Sequence, residues 1–340
     1  MALISFTTRG IYCVQGDFYI DPWHPVGYAV TTHGHGDHVC AGNKNYLCHT
    51  ITGYIIKKRI GPDINVTTLG YGEEICRNGV KISFFPAGHI VGSAQVRLEY
   101  KGEVCVISGD YKVEDDGIST PFEPVRCHSF VSESTFGLPV YKWQPQAIIF
   151  EKIKSWLAEN RGKNKTGVLI AYSLGKAQRL MAGLAGDTPL YVHQSIAGLN
   201  EAITNAGVSL PATITITPEI KKDELQKGII IVPPVMRESK WIKTLQNPVI
   251  GACSGWMQVR AHRRWESIDA GFPLSDHADW PGLLGAVAAT GATKVYVTHG
   301  FTATFSRYLN TIGIEAEEVP TKYGQEDEGD IPQTQETAEA

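Results

Sequence analysis

The chain has 340 residues, of which 43% are hydrophobic and 19% are charged. This composition is typical of a water-soluble globular protein with one or two domains. No apolar run approaches the roughly 18 residues that a membrane span needs, and the N-terminal residues lack the features of a signal peptide. The seven cysteines are never spaced as CxxC, which favours reduced thiols. We therefore expect a cytoplasmic protein that does not contact membranes.

The formal net charge of −4 weakly disfavours a polyanionic partner. The charge is unevenly distributed along the chain. Residues 321–340 hold six acidic side chains and one lysine, a net charge of −5, so residues 1–320 carry a net charge of +1. This acidic tail lacks apolar periodicity and is predicted to be disordered over 323–340. A near-neutral body can still bind nucleic acid where basic residues cluster and metal ions neutralise phosphate.

Strand-like runs dominate the first part of the chain, and one helical segment, TGYIIKKRI, interrupts them at residues 52–60. From about residue 145 helices and strands alternate, beginning with the helical pattern QPQAIIFEKIKSWLAENRG and the short apolar strand TGVLIAYS. The alternation continues after about residue 270. These patterns predict a layered α/β protein whose middle block is a compact insertion.

A dense cluster of metal-ligand residue types follows the apolar run at residues 26–30. Residues 31–40 read TTHGHGDHVC, in which His33, His35, Asp37 and His38 form an HxHxDH motif. Metal-ligand bonds of about 2.0–2.2 Å demand such a local supply of donors. The motif therefore predicts a metal site in the loop that follows a strand.

Three further ligand candidates follow strand-like runs later in the chain. His89 follows KISFFPAG, Asp110 follows VCVISG, and His299 follows KVYVT. Because such strand ends meet at one edge of a layered α/β protein, we expect these side chains to join the cluster. We assign His33, His35 and His89 to one metal and Asp37, His38 and His299 to a second, with Asp110 bridging both.

Two metals about 3.5–4 Å apart hold a bridging water and generate hydroxide near neutral pH. The predicted reaction is thus metal-assisted hydrolysis, in which Asp37 also counts as a catalytic residue. Two Zn²⁺ ions suit the histidine-rich ligands, and Mn²⁺ is the alternative. Asp21, in the segment YIDP, is a candidate for orienting a ligand histidine, and a simple Asp-Pro turn is the structural alternative.

Cleavage of a phosphodiester also needs a proton for the departing oxygen. His277, in PLSDHADW, is the candidate general acid, and it lies between Asp276 and Asp279, which would favour its protonated form. Glu133, in SESTFG, could hold and charge His277 from across the cleft. The alternative is that these acidic and histidine residues only cap helices.

In this order the motifs resemble those of the metallo-β-lactamase superfamily and, within it, the β-CASP nucleases. HxHxDH, His89 and Asp110 match the superfamily's metal motifs, whereas Glu133, His277 and His299 are similar to β-CASP motifs A, B and C. The resemblance covers residues 1–320. Its length and the phrases AYSLGKAQRL, CSGWMQVR and GFPLSDHADW resemble the bacterial ligase-associated DNA exonucleases, which are related to mRNA 3′-end processing nucleases.

This resemblance implies a four-layer αβ/βα sandwich interrupted by a small β-CASP domain. The expected boundaries are residues 1–140 and 269–322 for the two parts of the metallo-β-lactamase domain, 141–268 for the β-CASP domain and 323–340 for the acidic tail. It also implies two zinc ions, cleavage of nucleic acid between the domains, and a DNA ligase or helicase as a partner.

Several residues are weaker candidates for contacts with the substrate. The segment VRAHRRW holds Arg260, Arg263 and Arg264 beside tryptophans, a combination that suits phosphate pairing and base stacking on a single strand. Lys176 stands where a helix is predicted to begin, and helix N-termini bind phosphate. Ser93 lies in the same motif as His89. A solvated basic face and a helix start are the structural alternatives.

The function predicted from the sequence is a two-metal nuclease that hydrolyses DNA, as a 3′ or 5′ exonuclease in repair. The main alternative is an RNA-processing nuclease of the mRNA 3′-end type, since His299 stands where the DNA-specific crosslink-repair branch has valine. A small-molecule hydrolase is a third hypothesis, which the presence of Glu133, His277 and His299 together disfavours. A scaffold without catalysis is disfavoured because every expected metal ligand is present.

Overall fold

The computed structural model describes residues 3–259 and 268–321, which form two compact units. Residues 3–142 and 277–321 make up the first unit, and residues 143–259 and 268–276 make up the second. The domain assignments from the sequence, with boundaries after residues 140 and 268, stay predictions. The tail at 323–340 lies outside the described residues.

The strands of these residues are numbered here in chain order. They are β1 (Ile4–Thr7), β2 (Gly10–Cys13), β3 (Phe18–Ile20), β4 (Ala29–Thr31), β5 (Tyr46–His49), β6 (Val66–Leu69), β7 (Glu74–Arg77), β8 (Val80–Pro86), β9 (Ala94–Tyr100), β10 (Glu103–Ile107), β11 (Ser129–Ser134), β12 (Thr166–Ile170), β13 (Leu190–Val192), β14 (Ile214–Thr215), β15 (Ile229–Val232), β16 (Pro248–Cys253), β17 (Ala270–Phe272), β18 (Lys294–Gly300) and β19 (Glu315–Glu318).

The helices of the same residues are α1 (Thr50–Ile60), α2 (Gln146–Gly162), α3 (Lys176–Leu184), α4 (Gln194–Asn205), α5 (Lys222–Lys227), α6 (Lys240–Lys243), α7 (Trp280–Thr290) and α8 (Thr302–Thr311). Two short 3₁₀ helices span Pro234–Met236 and Gly255–Gln258. Within residues 3–259 and 268–321, no helix is long and apolar enough to cross a membrane.

Two sheets form the centre of the first unit. One has the strand order β1-β2-β3-β4-β5-β6, and the other has the order β19-β18-β11-β10-β9-β8-β7. Strands β3 to β6 are parallel, as are β10, β11, β18 and β19. Parallel pairing brings the carboxyl ends of these strands to one edge of each sheet, where loops can gather polar side chains.

The two sheets pack face to face, and helices cover their outer faces. Val30 and Leu47 of the first sheet share one buried cluster with Val96 and Ile107 of the second. Helix α1 packs on the other side of the first sheet. Helices α7 and α8 pack on the other side of the second sheet. This helix–sheet–sheet–helix order is the predicted αβ/βα sandwich, and the predicted α/β class is confirmed.

The second unit contains one parallel sheet with the strand order β14-β13-β15-β12-β16-β17. Central strands such as β15 are buried along their whole length, as expected of a sheet covered on both faces. Helices α2, α3 and α4 pack on one face, where Phe150, Leu180 and Ile196 join the core.

Candidate metal centre

The HxHxDH motif lies in the loop after β4, and Asp21 fixes the two ends of that loop. Asp21 has a left-handed backbone, with φ of 43°. Its carboxylate accepts hydrogen bonds from the backbone N–H of Thr32 at 2.8 Å and the Thr32 hydroxyl at 2.6 Å. It also lies 2.7 Å from Nδ1 of His38. A proton on Nδ1 leaves Nε2 of His38 with a lone pair, which is the arrangement of a metal-ligating histidine with an outer carboxylate.

Three histidines and one aspartate converge at a first position. Potential ligand atoms of His33, His35, His89 and Asp110 all lie within 4.8 Å of one another. Nδ1 of His35 is 3.1 Å from Nε2 of both His33 and His89. Asp110 Oδ2 is 3.5 Å from Nε2 of His33. Converging nitrogen atoms of this kind suit a tetrahedral metal site.

The loop that carries His89 is held tightly against the loop that carries Asp110. Gly88 has a φ of +72°, and a side chain there would clash with the carbonyl oxygen of Lys112. The hydroxyl of Ser93 accepts hydrogen bonds from the backbone N–H groups of His89 and Ile90. Glycine at this position therefore allows the close approach that places His89 beside Asp110.

Asp37, His38 and Asp110 form a second group within the same distance limit, so Asp110 belongs to both groups. Nε2 of His38 lies 3.5 Å from Asp37 Oδ2 and 3.4 Å from Asp110 Oδ2. In the described part of the chain, Oδ1 of Asp37 and Nε2 of His38 are buried without a hydrogen-bond partner. Such atoms are costly unless a ligand satisfies them, so these donors fit a bound divalent cation.

The charges in this cluster depend strongly on one another. Burial alone would raise the pKa of Asp110, but His38 opposes it and the pKa lies well below its ordinary value. Burial alone would lower the pKa of His38, but Asp110, Asp37 and Asp21 hold it well above its ordinary value. The pKa of His33 is lowered, first by burial and then by His38. When no metal is bound, the raised pKa of His38 favours its positively charged form beside the carboxylates. A bound metal ion would supply that positive charge instead.

His299 lies near the second group but is not among its closely spaced ligand atoms. Its ring stacks on that of His38 at a centroid distance of 5.5 Å, and its φ is 53°. Burial, followed by the charge of His38, lowers the pKa of His299 and favours the neutral ring that binds metals. His299, His38, Asp37 and Asp21 line one small cavity of about 40 Å³. The ligand role of His299 stays a prediction.

Glu133 and His277 form a buried pair beside the cluster. The Glu133 side chain is fully buried, and its two oxygens lie 3.0 and 2.9 Å from Nδ1 of His277. The backbone N–H of Tyr111 donates to Glu133 at 2.6 Å, which fixes the carboxylate. The His277 ring lies 4.6 Å from that of His89 between centroids. His277 is thus oriented by a carboxylate at the edge of the candidate metal centre.

Asp110, Glu133 and His277 also bring ligand atoms within 4.8 Å of one another. The pair could therefore hold a metal instead of acting as an acid. The two acidic neighbours of His277 in the sequence have roles of their own. Asp279 caps helix α7 by accepting from the Gly282 N–H at 2.9 Å, and Asp276 forms ion pairs within the second unit.

The predicted substrate contacts differ in their surroundings. Lys176 is only 1% exposed, and its ammonium lies 2.9 Å from Asp276. Ser93 is also 1% exposed and braces the His89 loop. Both side chains thus make contacts within the protein, and their roles in substrate binding stay predictions. Arg260, Arg263 and Arg264 lie outside the described residues.

Thr32 and Tyr111 are two site residues that the sequence reasoning missed. Thr32 connects Asp21 to His33, because its hydroxyl lies 2.6 Å from the first and 3.0 Å from Nδ1 of the second. Tyr111 anchors Glu133 through its backbone and lies next to Asp110 in the chain. Both residues are neighbours of predicted ligands in the chain, which was the one feature of the sequence that could have indicated them. Their hydrogen bonds cannot be read from the residue types alone.

No protein-family model matches the chain. A protein of Opitutus terrae named as a probable DNA ligase is 29% identical over 313 residues, which cover 91% of this chain and 30% of the ligase. The endoribonuclease YSH1 of Candida glabrata is 30% identical over 118 residues, which cover 34% of this chain and 15% of that protein. The chain thus spans less than a third of the length of these curated relatives.

A crystal structure of an Enterococcus faecalis protein of unknown function shares the fold. It matches with a TM-score of 0.57 at 11% sequence identity, covering 87% of this chain and 80% of that one. The HxHxDH motif, the four-layer unit and the relatives agree with one another. They agree with the resemblance of the sequence motifs to those of the metallo-β-lactamase superfamily and its β-CASP nucleases.

Proposed function

We propose that the protein is a metal-dependent nuclease that hydrolyses phosphodiester bonds in nucleic acid, and that its preferred substrate is DNA. The observation that carries the proposal is the buried convergence of the two ligand groups that share Asp110, beside the Glu133–His277 pair. The nuclease named among the relatives supports the same chemistry.

This cluster would hold two divalent metal ions. We propose Zn²⁺ as the metal, with Mn²⁺ as the alternative. His33, His35 and His89 would hold one ion, Asp37 and His38 would hold the other together with His299, and Asp110 would bridge them. When bound, the ions supply Lewis acidity, which promotes ionisation of water near neutral pH and neutralises phosphate charge.

The protein's own residues have separate tasks in this proposal. Asp21 holds Nδ1 of His38, so that Nε2 faces the cluster. Glu133 accepts a hydrogen bond from the protonated Nδ1 of His277, which orients that ring and stabilises its cationic form. His277 then gives the proton on its other nitrogen, Nε2, to the oxygen that leaves the cleaved phosphodiester.

The preference for DNA rests on the relative from Opitutus terrae, which matches most of this chain. A protein named as a probable DNA ligase contains a region similar to 91% of this chain within 30% of its own length. Because a region of this kind lies within a protein named for joining DNA, we propose action on DNA strands in repair, as an exonuclease, with a DNA ligase as a partner.

RNA processing is the second candidate function. The observations that favour it are His299 in the predicted third β-CASP motif and the similarity to a protein named as an endoribonuclease. Since both substrates carry the same phosphodiester, the metal centre itself does not discriminate between them.

The experiment is cleavage of matched single-stranded DNA and RNA, each labelled at either end, by the full chain with Zn²⁺ or Mn²⁺. Asp110→Ala serves as the blank. Laddering of DNA from one end, absent in the blank, is the expected result and gives the polarity. Faster cleavage of RNA would favour the second candidate. Equal cleavage by wild type and blank would refute the site assignment.

A further inference from the structure

Helix α1 lies beside both loops that supply candidate metal ligands, one near each of its ends. Near its start, the hydroxyl of the buried Thr52 donates to the carbonyl oxygen of Gly92 at 2.7 Å, in the loop that carries His89. Near its end, Nη1 of Arg59 would lie 3.9 Å from a methyl group placed on Gly36, in the HxHxDH loop. Because Ile55 and Ile56 are fully buried, the helix is a rigid support between the two loops.

The HxHxDH loop reaches solvent at the point where Arg59 lies. His33 is fully buried, His35 is partly exposed, and Gly36 is exposed. A phosphate that approaches the exposed side of this loop would lie close to Gly36, which stands between His35 and Asp37 in the chain. The half-buried guanidinium of Arg59 is therefore beside its path. Guanidinium groups bind phosphate oxygens through two parallel hydrogen bonds.

Residues 57–59 make the last turn of α1 basic, with Lys57, Lys58 and Arg59. Basic residues at a helix C-terminus also stabilise the helix through its dipole, which gives an ordinary explanation for the run. That explanation treats all three alike. Lys57 and Arg59 lie about 200° apart around the helix, so only one of them can face the ligand loop. The position of the Arg59 guanidinium beside Gly36 sets it apart.

We infer that Arg59 is a substrate-positioning residue, which binds a phosphate of the nucleic-acid strand next to the one at the metal centre. The inference rests on the proposed nuclease function and adds to it a subsite outside the metal ligands. The ligand is the phosphodiester backbone, which DNA and RNA share. A cation held on a rigid helix loses little conformational entropy on binding, so its contribution to affinity is large for one contact.

The test compares Arg59→Gln with Lys57→Gln, which removes the same charge from the same helical turn. The probe is a fluorescein-labelled phosphorothioate DNA strand of about 12 nucleotides, within the range of single-strand site sizes. Binding to the metal-loaded full chain is measured by anisotropy across a series of salt concentrations. Metal content is measured by mass spectrometry, and kcat and KM are measured on an unmodified strand.

Arg59→Gln should bind the strand about tenfold more weakly and raise KM by a similar factor. The slope of log affinity against log salt should fall by about 0.7, the value for one single-strand phosphate contact. Metal content and kcat should stay unchanged, Lys57→Gln should bind within about twofold of wild type, and Arg59→Lys should recover part of the affinity.

Two results would overturn the inference while leaving the nuclease proposal in place. One is an Arg59→Gln protein that binds and cleaves like Lys57→Gln. The other is a loss of metal from Arg59→Gln, which would make Arg59 a support of the ligand loop. If wild type neither binds nor cleaves any strand, the proposed function itself fails, and the inference fails with it.

Discussion

Replacing Glu133 with glutamine should slow turnover while leaving the fold and the metal content unchanged. The Glu133 carboxylate is fully buried and lies 2.9 and 3.0 Å from Nδ1 of His277. In the wild-type protein the Tyr111 N–H donates to the Glu133 carboxylate at 2.6 Å. Glutamine has the same shape and keeps one oxygen that can accept this hydrogen bond. What it loses is the negative charge that stabilises a cationic His277.

The size of the effect follows from the worth of that charged hydrogen bond. A hydrogen bond to a charged partner contributes about 1.5–3 kcal/mol, and about 1.4 kcal/mol corresponds to a factor of ten in rate. We therefore expect kcat to fall by roughly 10- to 100-fold in Glu133→Gln. His277→Ala removes the acid entirely and should cost roughly 10²- to 10⁴-fold.

The assay is a double-mutant cycle on single-turnover cleavage, with metal content measured for each variant. If Glu133 acts through His277, the double variant should cleave no more slowly than His277→Ala alone. Glu103→Gln, an exposed position at the start of β10, is the matched control and should be neutral.

Two outcomes would refute this reasoning. A double variant that is slower than His277→Ala by the full factor seen for Glu133→Gln would show that Glu133 acts independently. Loss of a metal equivalent from either single variant would show that the Asp110, Glu133 and His277 group is a ligand set.

Three further predictions concern metal affinity and stability. Asp21→Ala removes the acceptor for Nδ1 of His38 and should weaken metal binding by about 10- to 100-fold, measured by competition with a chelator. Burial lowers the pKa of His49 to about 4. The fold is therefore most stable above about pH 6.5, where His49 is neutral, and it loses stability as the pH falls toward 4. In denaturant unfolding, the free energy of unfolding of His49→Phe should fall by up to about 2 kcal/mol less than that of wild type between pH 7 and pH 5. Asp276→Ala leaves the buried cations Lys176 and Arg179 without their carboxylate and should lower the free energy of unfolding by about 3–5 kcal/mol. Lys176→Met still leaves Asp276 paired with Arg179 and should lower it by less.

Each of these expectations has a result that contradicts it. Unchanged metal affinity in Asp21→Ala would mean that Asp21 only closes a turn. An identical pH dependence of unfolding in His49→Phe and wild type would show that folding does not lower the pKa of His49. A greater loss of stability in Lys176→Met than in Asp276→Ala would show that the carboxylate, not the cations, depends on the pairing.

The α/β class and the location of the ligand candidates followed from local patterns in the sequence. His33 follows β4, His89 follows β8 and Asp110 follows β10, and strand ends that meet at one edge bring such residues together. Periodicity and apolar runs mark strands well because burial on both faces leaves a continuous apolar segment. The convergence of these side chains is thus a consequence of sheet topology.

Other features depended on tertiary packing that residue patterns do not encode. The pairing of Glu133 with His277 joins residues 144 positions apart, and the sequence motifs suggested it only beside the alternative that both residues cap helices. Lys176 at a helix start suggested a phosphate site, whereas its ammonium is buried against Asp276. Arg59 drew no attention in the sequence, since basic residues at helix ends are common.

The measurement that tests the central claim most directly is strand cleavage as a function of metal equivalents added to chelator-stripped protein. If the two groups that share Asp110 hold two ions, cleavage should rise with added metal and level off at about two equivalents per chain. Asp110→Ala should stay inactive at every ratio. Full cleavage by the stripped protein, or equal cleavage by Asp110→Ala at any metal concentration, would contradict a metal-dependent nuclease built on this cluster.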